Sequence, residues 1–361
     1  MTLSPLSALQ SLLAHQRVAL IDGAVGTELE RRGVSITGSK LWSAQLLITN
    51  PTIISNIHKE YYAAGADIVC TTTYQASVEG FLDAGVSRAD CGALFVKAVE
   101  LADAARCAFW EEHTHAAAAD PSSVSTQPRH RPLVAYSCGA YGASLADGSE
   151  YSGAYADMVT EEQLMAFHKA RLDPVRGHPA VDMIAFETIP CLKEVRAIVR
   201  LLDIEDYGVP AMVSLQCRDS ATTARGEDVA TELVPVLAGC RAVAAFGFNC
   251  VAPERVPALL TAARGALEAT AVAAGAGAGD HPAPLLLCYP NSGEGWDTSL
   301  KCWTEAQATP GLLGAGLQGA SGPETFATQA EGWVAAGARL VGGCCRTTPA
   351  HIAELRRRLL G

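Results

Sequence analysis

The sequence predicts a (β/α)8 barrel, and three observations carry that reading. Eight short, strand-like apolar runs are spread along the 361 residues. Helix-compatible segments separate them, so strand alternates with helix from end to end. Most runs are continuously apolar rather than strictly alternating, as strands buried on both faces of a parallel sheet are. A doubly wound open sheet is the alternative topology.

In chain order the predicted strands are 18–24, 66–74, 132–139, 181–188, 210–217, 242–250, 284–291 and 338–345. Between them, helical spacing covers 51–64, 160–175, 192–202, 227–237, 253–273, 323–336 and 349–360. The first of these opens behind Thr49-Asn50 with a proline in its first turn, a common helix start. Two stretches break the pattern: the Ala/Gly-rich 273–284 reads as a helix end and loop, and 113–131 (HTHAAAADPSSVSTQPRHR) reads as a polar surface insertion. A solvated loop is the expectation for 113–131, ahead of a metal set built from His113, His115 and His130. Nothing else divides the chain, so residues 1–361 read as one barrel domain.

Composition narrows the function. Hydrophobic residues make up 49% of the chain and charged residues 18%, enough apolar surface for a large core. Lys and Arg number 27 against 38 Asp and Glu, a net charge of −11. That sign argues against nucleic acid or an anionic membrane as the main partner. No apolar stretch reaches the roughly 18 residues of a membrane span. The N-terminal MTLSPLSALQSLLAHQRVALIDG has no basic region and no clear cleavage site, so it reads as a helix leading into a strand. The expected location is cytoplasmic. In a reducing compartment most of the twelve cysteines are expected to be small buried hydrophobes.

In a barrel enzyme the chemistry sits at the C-terminal ends of the strands. Here those ends carry Asp22-Gly23-Ala24-Val25 and Thr27, then Thr71 to Gln75, Ser137-Cys138, Glu187-Thr188, Asn249-Cys250 and Cys344-Cys345. Polar and metal-capable residues from distant runs therefore converge on one rim. Catalytic zinc is commonly held by three protein ligands, and Cys250, Cys344 and Cys345 are the sharp candidates. Adjacent cysteines cannot both face one point from inside a strand, because successive side chains alternate. They can where the chain turns, and Gly342-Gly343 permits a turn. On spacing alone, a buried or disulfide-linked Cys-Cys pair stays open beside the metal reading.

Six motifs then acquire a common meaning. DGAVGTELERRG (22–33), GADIVCTTTYQAS (65–77), GAYGASLADGSEYSGAY (139–155), FETIP (186–190), GFNC (247–250) and GGCCRTTPAHI (342–352) together resemble the homocysteine S-methyltransferase family, in the family's order. The pair GFNC and GGCCRT carries most of the specificity. The resemblance implies a (β/α)8 barrel with one Zn²⁺ per chain on Cys250, Cys344 and Cys345, which act by activating the substrate thiol. It implies that Asp22 and Glu187 face the homocysteine ammonium. Gly23, Ala24, Val25 and Thr27 then belong to the same substrate site, with backbone N–H groups near Gly23–Val25 for the carboxylate. It also makes Gln75 an oxygen ligand of the metal in the substrate-free state.

The implied chemistry is methyl transfer to a thiol. A free thiol has a pKa of roughly 8.5, the thiolate is the nucleophile, and metal coordination removes the proton. FETIP and YGASLADGSEYSG resemble the branch that uses a sulfonium donor, S-methylmethionine or S-adenosylmethionine. Thr188 stands where the betaine branch has an aromatic residue, and Ser144 where relatives have tyrosine. Tyr141, Tyr151 and Tyr155 either pack the loop or offer ring faces to a cationic donor, each worth about 0.5–2 kcal/mol. Betaine as donor and selenocysteine as acceptor are the alternatives within the family. A non-catalytic zinc-thiolate or redox-sensing protein is the alternative outside it. The expected partners are small molecules, with the chain a monomer or a homodimer.

Overall fold

The computed structural model describes residues 5–36, 38–119, 129–274, 282–293, 295–297, 302–304 and 322–361. Its parallel strands are β1 (Ala19–Leu20), β2 (Ile68–Cys70), β3 (Leu133–Gly139), β4 (Met183–Ile189), β5 (Ala211–Leu215), β6 (Val243–Asn249), β7 (Leu285–Tyr289) and β8 (Ala338–Val341). They pair in the order β1-β8-β7-β6-β5-β4-β3-β2. Between β1 and β2, Asp67 N donates to Leu20 O at 2.7 Å and Asp22 N to Ile68 O at 3.0 Å, with a parallel bridge at Ile21 and Ile68. Those bonds close the ring, so the barrel holds and the open sheet does not.

A helix follows each strand: Pro51–Ala64, Cys91–Ala119, Glu161–Leu172, Leu192–Ile204, Val234–Gly239, Val256–Ala274, Pro323–Ala335 and Pro349–Leu360. Among the described residues no helix is long and apolar enough to cross a membrane. The predicted helix over 227–237 starts later. A wide turn, Val229–Leu233, capped by Asp228 accepting from Thr231 N, precedes Val234–Gly239. Pro235 lacks the N–H that a regular helix turn would use there.

The surface-loop expectation for 113–131 is corrected at both ends. The helix continues to Ala119, because the alanine-rich stretch is strongly helix-forming. His113 packs beside Phe109 and Trp110 on that helix. Arg129 returns to the body, donating to Tyr62 O at 2.7 Å and Ala66 O at 2.8 Å. Residues 120–128 lie outside the described residues.

The barrel interior is layered. Strand alternation turns Leu133 and Ala135 inward on β3, with Ser137 of the same register at the cleft, while Tyr136 and Cys138 pack outward in the larger cluster. The same alternation puts Met183, Ala185 and Glu187 inward on β4, and Leu285, Leu287 and Tyr289 inward on β7. Leu9 and Leu12 of the N-terminal helix join the interior cluster and plug its floor. The floor and middle layers are therefore apolar, and the layer nearest the mouth is polar.

Candidate active site and metal centre

That polar layer opens into a cleft at the barrel mouth. Asp22, Gly23, Ala24 and Val25 line it, as do Glu187, Cys250, Cys344 and Cys345. Among the described residues no Lys, Arg or His lines it. The cleft thus gathers carboxylates and thiols with no cationic side chain to balance them.

The three thiols meet because the strands stop short. β8 ends at Val341 and β6 at Asn249, whereas the apolar runs continue to Cys345 and Cys250. Cys250 takes a left-handed backbone (φ 51°), and so does Arg346 just after the cysteine pair (φ 67°). Cys344 N donates to Pro290 O at 2.8 Å, and Ser292 N to Cys345 O at 3.1 Å. Arg346 N donates to Thr27 Oγ1 at 2.9 Å. Released from the ladder and pinned this way, adjacent cysteines escape strand alternation.

Their sulfurs, with that of Cys250, all lie within 4.8 Å of one another. Cys250 Sγ is 3.8 Å from Cys345 Sγ, and Cys344 Sγ is 4.0 Å from Cys345 Sγ. A disulfide needs about 2.05 Å, so the vicinal-disulfide reading does not describe this arrangement. A tetrahedral ion with Zn–S bonds of about 2.3 Å separates its sulfurs by about 3.8 Å, so the donor set fits zinc. As thiols, the three share hydrogen bonds. Those from Cys250 and Cys344 hold Cys345 well below the usual thiol range, which marks where negative charge is already favoured.

Two carboxylates face the other side of the cleft. Asp22 is 4% exposed and Glu187 8%. Asp22 Oδ2 accepts from Cys70 N at 3.1 Å, and Glu187 accepts from the Ser137 hydroxyl. Burial raises the Asp22 pKa well above the ordinary range, and the Glu187 charge adds to the rise. Burial likewise pushes Glu187 up to about 7, against the bond from Ser137. Among the described residues neither carboxylate pairs with a cation, and a buried carboxylate without one is costly. Glu187 projects inward by strand alternation. Thr188 beside it takes a left-handed backbone (φ 62°) and exchanges two hydrogen bonds with the Asn249 amide, at 2.8 and 2.9 Å.

Two residues assigned to the site from the sequence lie outside the cleft lining. Thr27 supports the cysteine turn through Arg346 N. Gln75 donates through Nε2 to Ala143 O at 3.1 Å, and its Oε1 is buried without a partner. Conversely, sequence reasoning did not place Trp42, Cys70 or Tyr289 in the site, and all three line the cleft. Trp42 fits only because residue 26 is glycine: a Cβ there would lie 2.4 Å from the indole. Tyr289 and Cys70 follow from strand alternation once the strand ends are known. Trp42 comes in on a connection and carries no such signal.

Comparison with known proteins matches this geometry. The homocysteine S-methyltransferase family model covers residues 19–359. Homocysteine S-methyltransferase 2 of Arabidopsis thaliana is 37% identical over 95% of this chain and 93% of its own length. Selenocysteine Se-methyltransferase of Brassica oleracea var. italica is also 37% identical, over 95% of this chain and 89% of its own length. The crystal structure of the homocysteine methyltransferase MmuM from Escherichia coli, in its metallated form, superposes with a TM-score of 0.73. It is 36% identical and covers 97% of this chain and 99% of its own. With a closed barrel, a matching family model along nearly its full length and relatives of this similarity, the chain belongs to the homocysteine S-methyltransferase family.

Proposed function

We propose that this homocysteine methyltransferase uses one zinc ion on Cys250, Cys344 and Cys345 and takes its methyl group from a sulfonium donor, S-methylmethionine or S-adenosylmethionine. One observation carries the reading: a cleft with three clustered thiols and two buried carboxylates, and no cationic side chain among the described residues. Such a cleft calls for cations from its ligands. A metal dication, a substrate ammonium and a sulfonium supply them.

Zinc bound there keeps the homocysteine sulfur deprotonated and still nucleophilic. The chain's own groups do the rest. Asp22 and Glu187 receive the homocysteine ammonium. The N–H groups of Gly23, Ala24 and Val25, where the chain leads into the helix Val25–Arg31, receive its carboxylate. Thr27 acts from behind by fixing the cysteine turn. Gln75 Oε1 is the oxygen we assign to the metal before substrate arrives. In the transfer, the donor's S–CH3 bond breaks as a new S–CH3 bond forms on homocysteine. The donor leaves as a neutral thioether and the thiol proton goes to solvent. No acid is needed for such a leaving group, so catalysis rests on alignment and exclusion of water.

The selenocysteine methyltransferase among the relatives keeps selenocysteine as a second acceptor. Cytoplasmic residence and a monomer or homodimer complete the reading, with the whole site carried by one barrel domain. The test is methionine formation from homocysteine and S-methylmethionine by zinc-loaded protein. Turnover supports metal and donor together. Turnover with betaine but with neither sulfonium overturns the donor assignment. Full turnover by metal-free protein overturns the zinc assignment.

A further inference from the structure

The connection after β3 carries an acidic position that the chemistry above leaves unused. Glu150 is 6% exposed, and its Oε2 is buried with no hydrogen-bond partner. The Ser149 hydroxyl next to it and the Tyr74 hydroxyl are also buried and unpartnered. Tyr74 and Tyr151 line the cleft. After burial itself, the Glu150 charge is the strongest influence on the Tyr74 hydroxyl, and it acts on Tyr151 as well. Tyr151 follows Glu150 directly in the chain, so this segment reaches the part of the cleft wall where Tyr74 and the thiols also stand.

The placement is built rather than loose. Residue 142 must be small: a Cβ there would lie 2.5 Å from Glu150 N and 2.7 Å from the Tyr155 ring. Glu194, fully buried on the helix Leu192–Ile204, accepts from Tyr141 N at 2.8 Å and from the Tyr155 hydroxyl. It also pairs with His168 Nε2 at 2.8 Å. Both ends of the 141–155 segment are thus fastened to one carboxylate, and Gln75 fastens it again near its start, at Ala143. Elements from three strand ends hold Glu150 in place, yet nothing in the described protein satisfies it.

A buried carboxylate oxygen and two hydroxyls without partners want a cation with several N–H donors. We propose that Glu150, with the Ser149 and Tyr74 hydroxyls, forms the subsite for the ammonium group of the methyl donor. It thereby selects amino-acid sulfoniums over sulfoniums that lack an amino group. This inference rests on the sulfonium-donor reading above. The two amino-acid substrates are then told apart by different carboxylates: Asp22 and Glu187 take homocysteine, and Glu150 takes the donor.

The test compares two donors on the zinc-loaded, full-length enzyme: S-methylmethionine, and dimethylsulfoniopropionate, which has a carboxylate but no amino group. The wild type is expected to prefer S-methylmethionine by at least about tenfold in kcat/KM, the scale of a hydrogen bond to a charged group. Glu150→Gln is expected to erase most of that preference through the donor KM. Its KM for homocysteine and its rate with dimethylsulfoniopropionate stay as in the wild type. Equal use of both donors by the wild type overturns the subsite, and so does a loss in Glu150→Gln that falls on both donors alike. A raised KM for homocysteine in Glu150→Gln also overturns it. If that variant does not fold, the wild-type comparison decides alone. If the wild type accepts betaine and neither sulfonium, the donor reading itself has failed and this inference falls with it.

Discussion

The two ends of the barrel treat buried acids in opposite ways. At the floor, Asp67 is fully buried and fully satisfied: it accepts from Gln16 Nε2 at 2.7 Å, Leu20 N at 2.9 Å and Arg356 at 3.0 Å. Asp182, also at the floor, accepts from Val134 N at 2.8 Å and pairs with Arg106. At the mouth, Asp22, Glu187 and Glu150 are also buried, and none of them pairs with a cation among the described residues. The backbone divides the same way. Among the described residues, four of the five non-glycine positions with left-handed φ, namely Trp42, Thr188, Cys250 and Arg346, line the mouth or adjoin it. Each such position costs about 1–3 kcal/mol. The floor is arranged for stability and the mouth for ligands, the division expected of a barrel enzyme.

Substitutions at the two ends can break that contrast, and the largest effect belongs to the metal set. Cys344→Ala should lose bound zinc and reduce methyl transfer at least about a hundredfold, more than an outer-shell disturbance would. Its folding should survive, as followed by circular dichroism together with metal content. A fully active variant without metal would remove the contrast at its centre. Asp67→Ala should do the reverse. It should cost about 3–5 kcal/mol of stability, the scale for breaking a buried pair, read by urea unfolding, while the folded fraction keeps its kcat.

Glu187→Gln sharpens the comparison by pH. In the ligand-free, metal-free protein the Glu187 pKa is raised from 4.5 to about 7 by burial. A carboxyl raised in the fold binds its proton more tightly there, so it destabilises the protein as pH rises from about 4.5 to 7. The loss is of order 3 kcal/mol and levels off above pH 7. The glutamine variant should lack this slope, and its KM for homocysteine should rise about tenfold or more. An unchanged homocysteine dependence would take Glu187 out of the substrate site. The smallest effect tests the backbone strain. Ala146 is exposed and left-handed (φ 55°) at the end of the helix Tyr141–Leu145. Ala146→Gly should stabilise by about 0.5 kcal/mol, relief of strain less the entropy of glycine, with no change in kinetics.

How much of this was legible in the sequence varies by residue. The strand at β3 was readable to within one residue, because its apolar run and its ladder coincide. At β1, β2 and β8 the apolar run continues past the last paired residue. Hydropathy cannot see where a buried chain leaves its ladder. Cys250, Cys344 and Cys345 were legible as a set through their motifs, and Asp22 and Glu187 through their places at strand ends. Trp42 was not, since its position depends on the gap left at Gly26. Nor was the helical continuation to Ala119, where polar composition outweighed alanine content in the reading.

By itself the sequence determined the alternation of strand and helix and the family, because these depend on periodicity and on short motifs that are local in the chain, whereas closure of the sheet into a ring waited on the β1–β2 hydrogen bonds. Only the tertiary structure decided that three sulfurs meet near 4 Å, that Asp22 and Glu187 share one cleft, and that Glu150 is buried unsatisfied beside it. Those facts arise where strands end early and loops are pinned by partners far away in sequence, as Arg346 is by Thr27 and Tyr155 by Glu194. A ladder bond is local to one strand pair. The point where it gives way is set by everything packed around it.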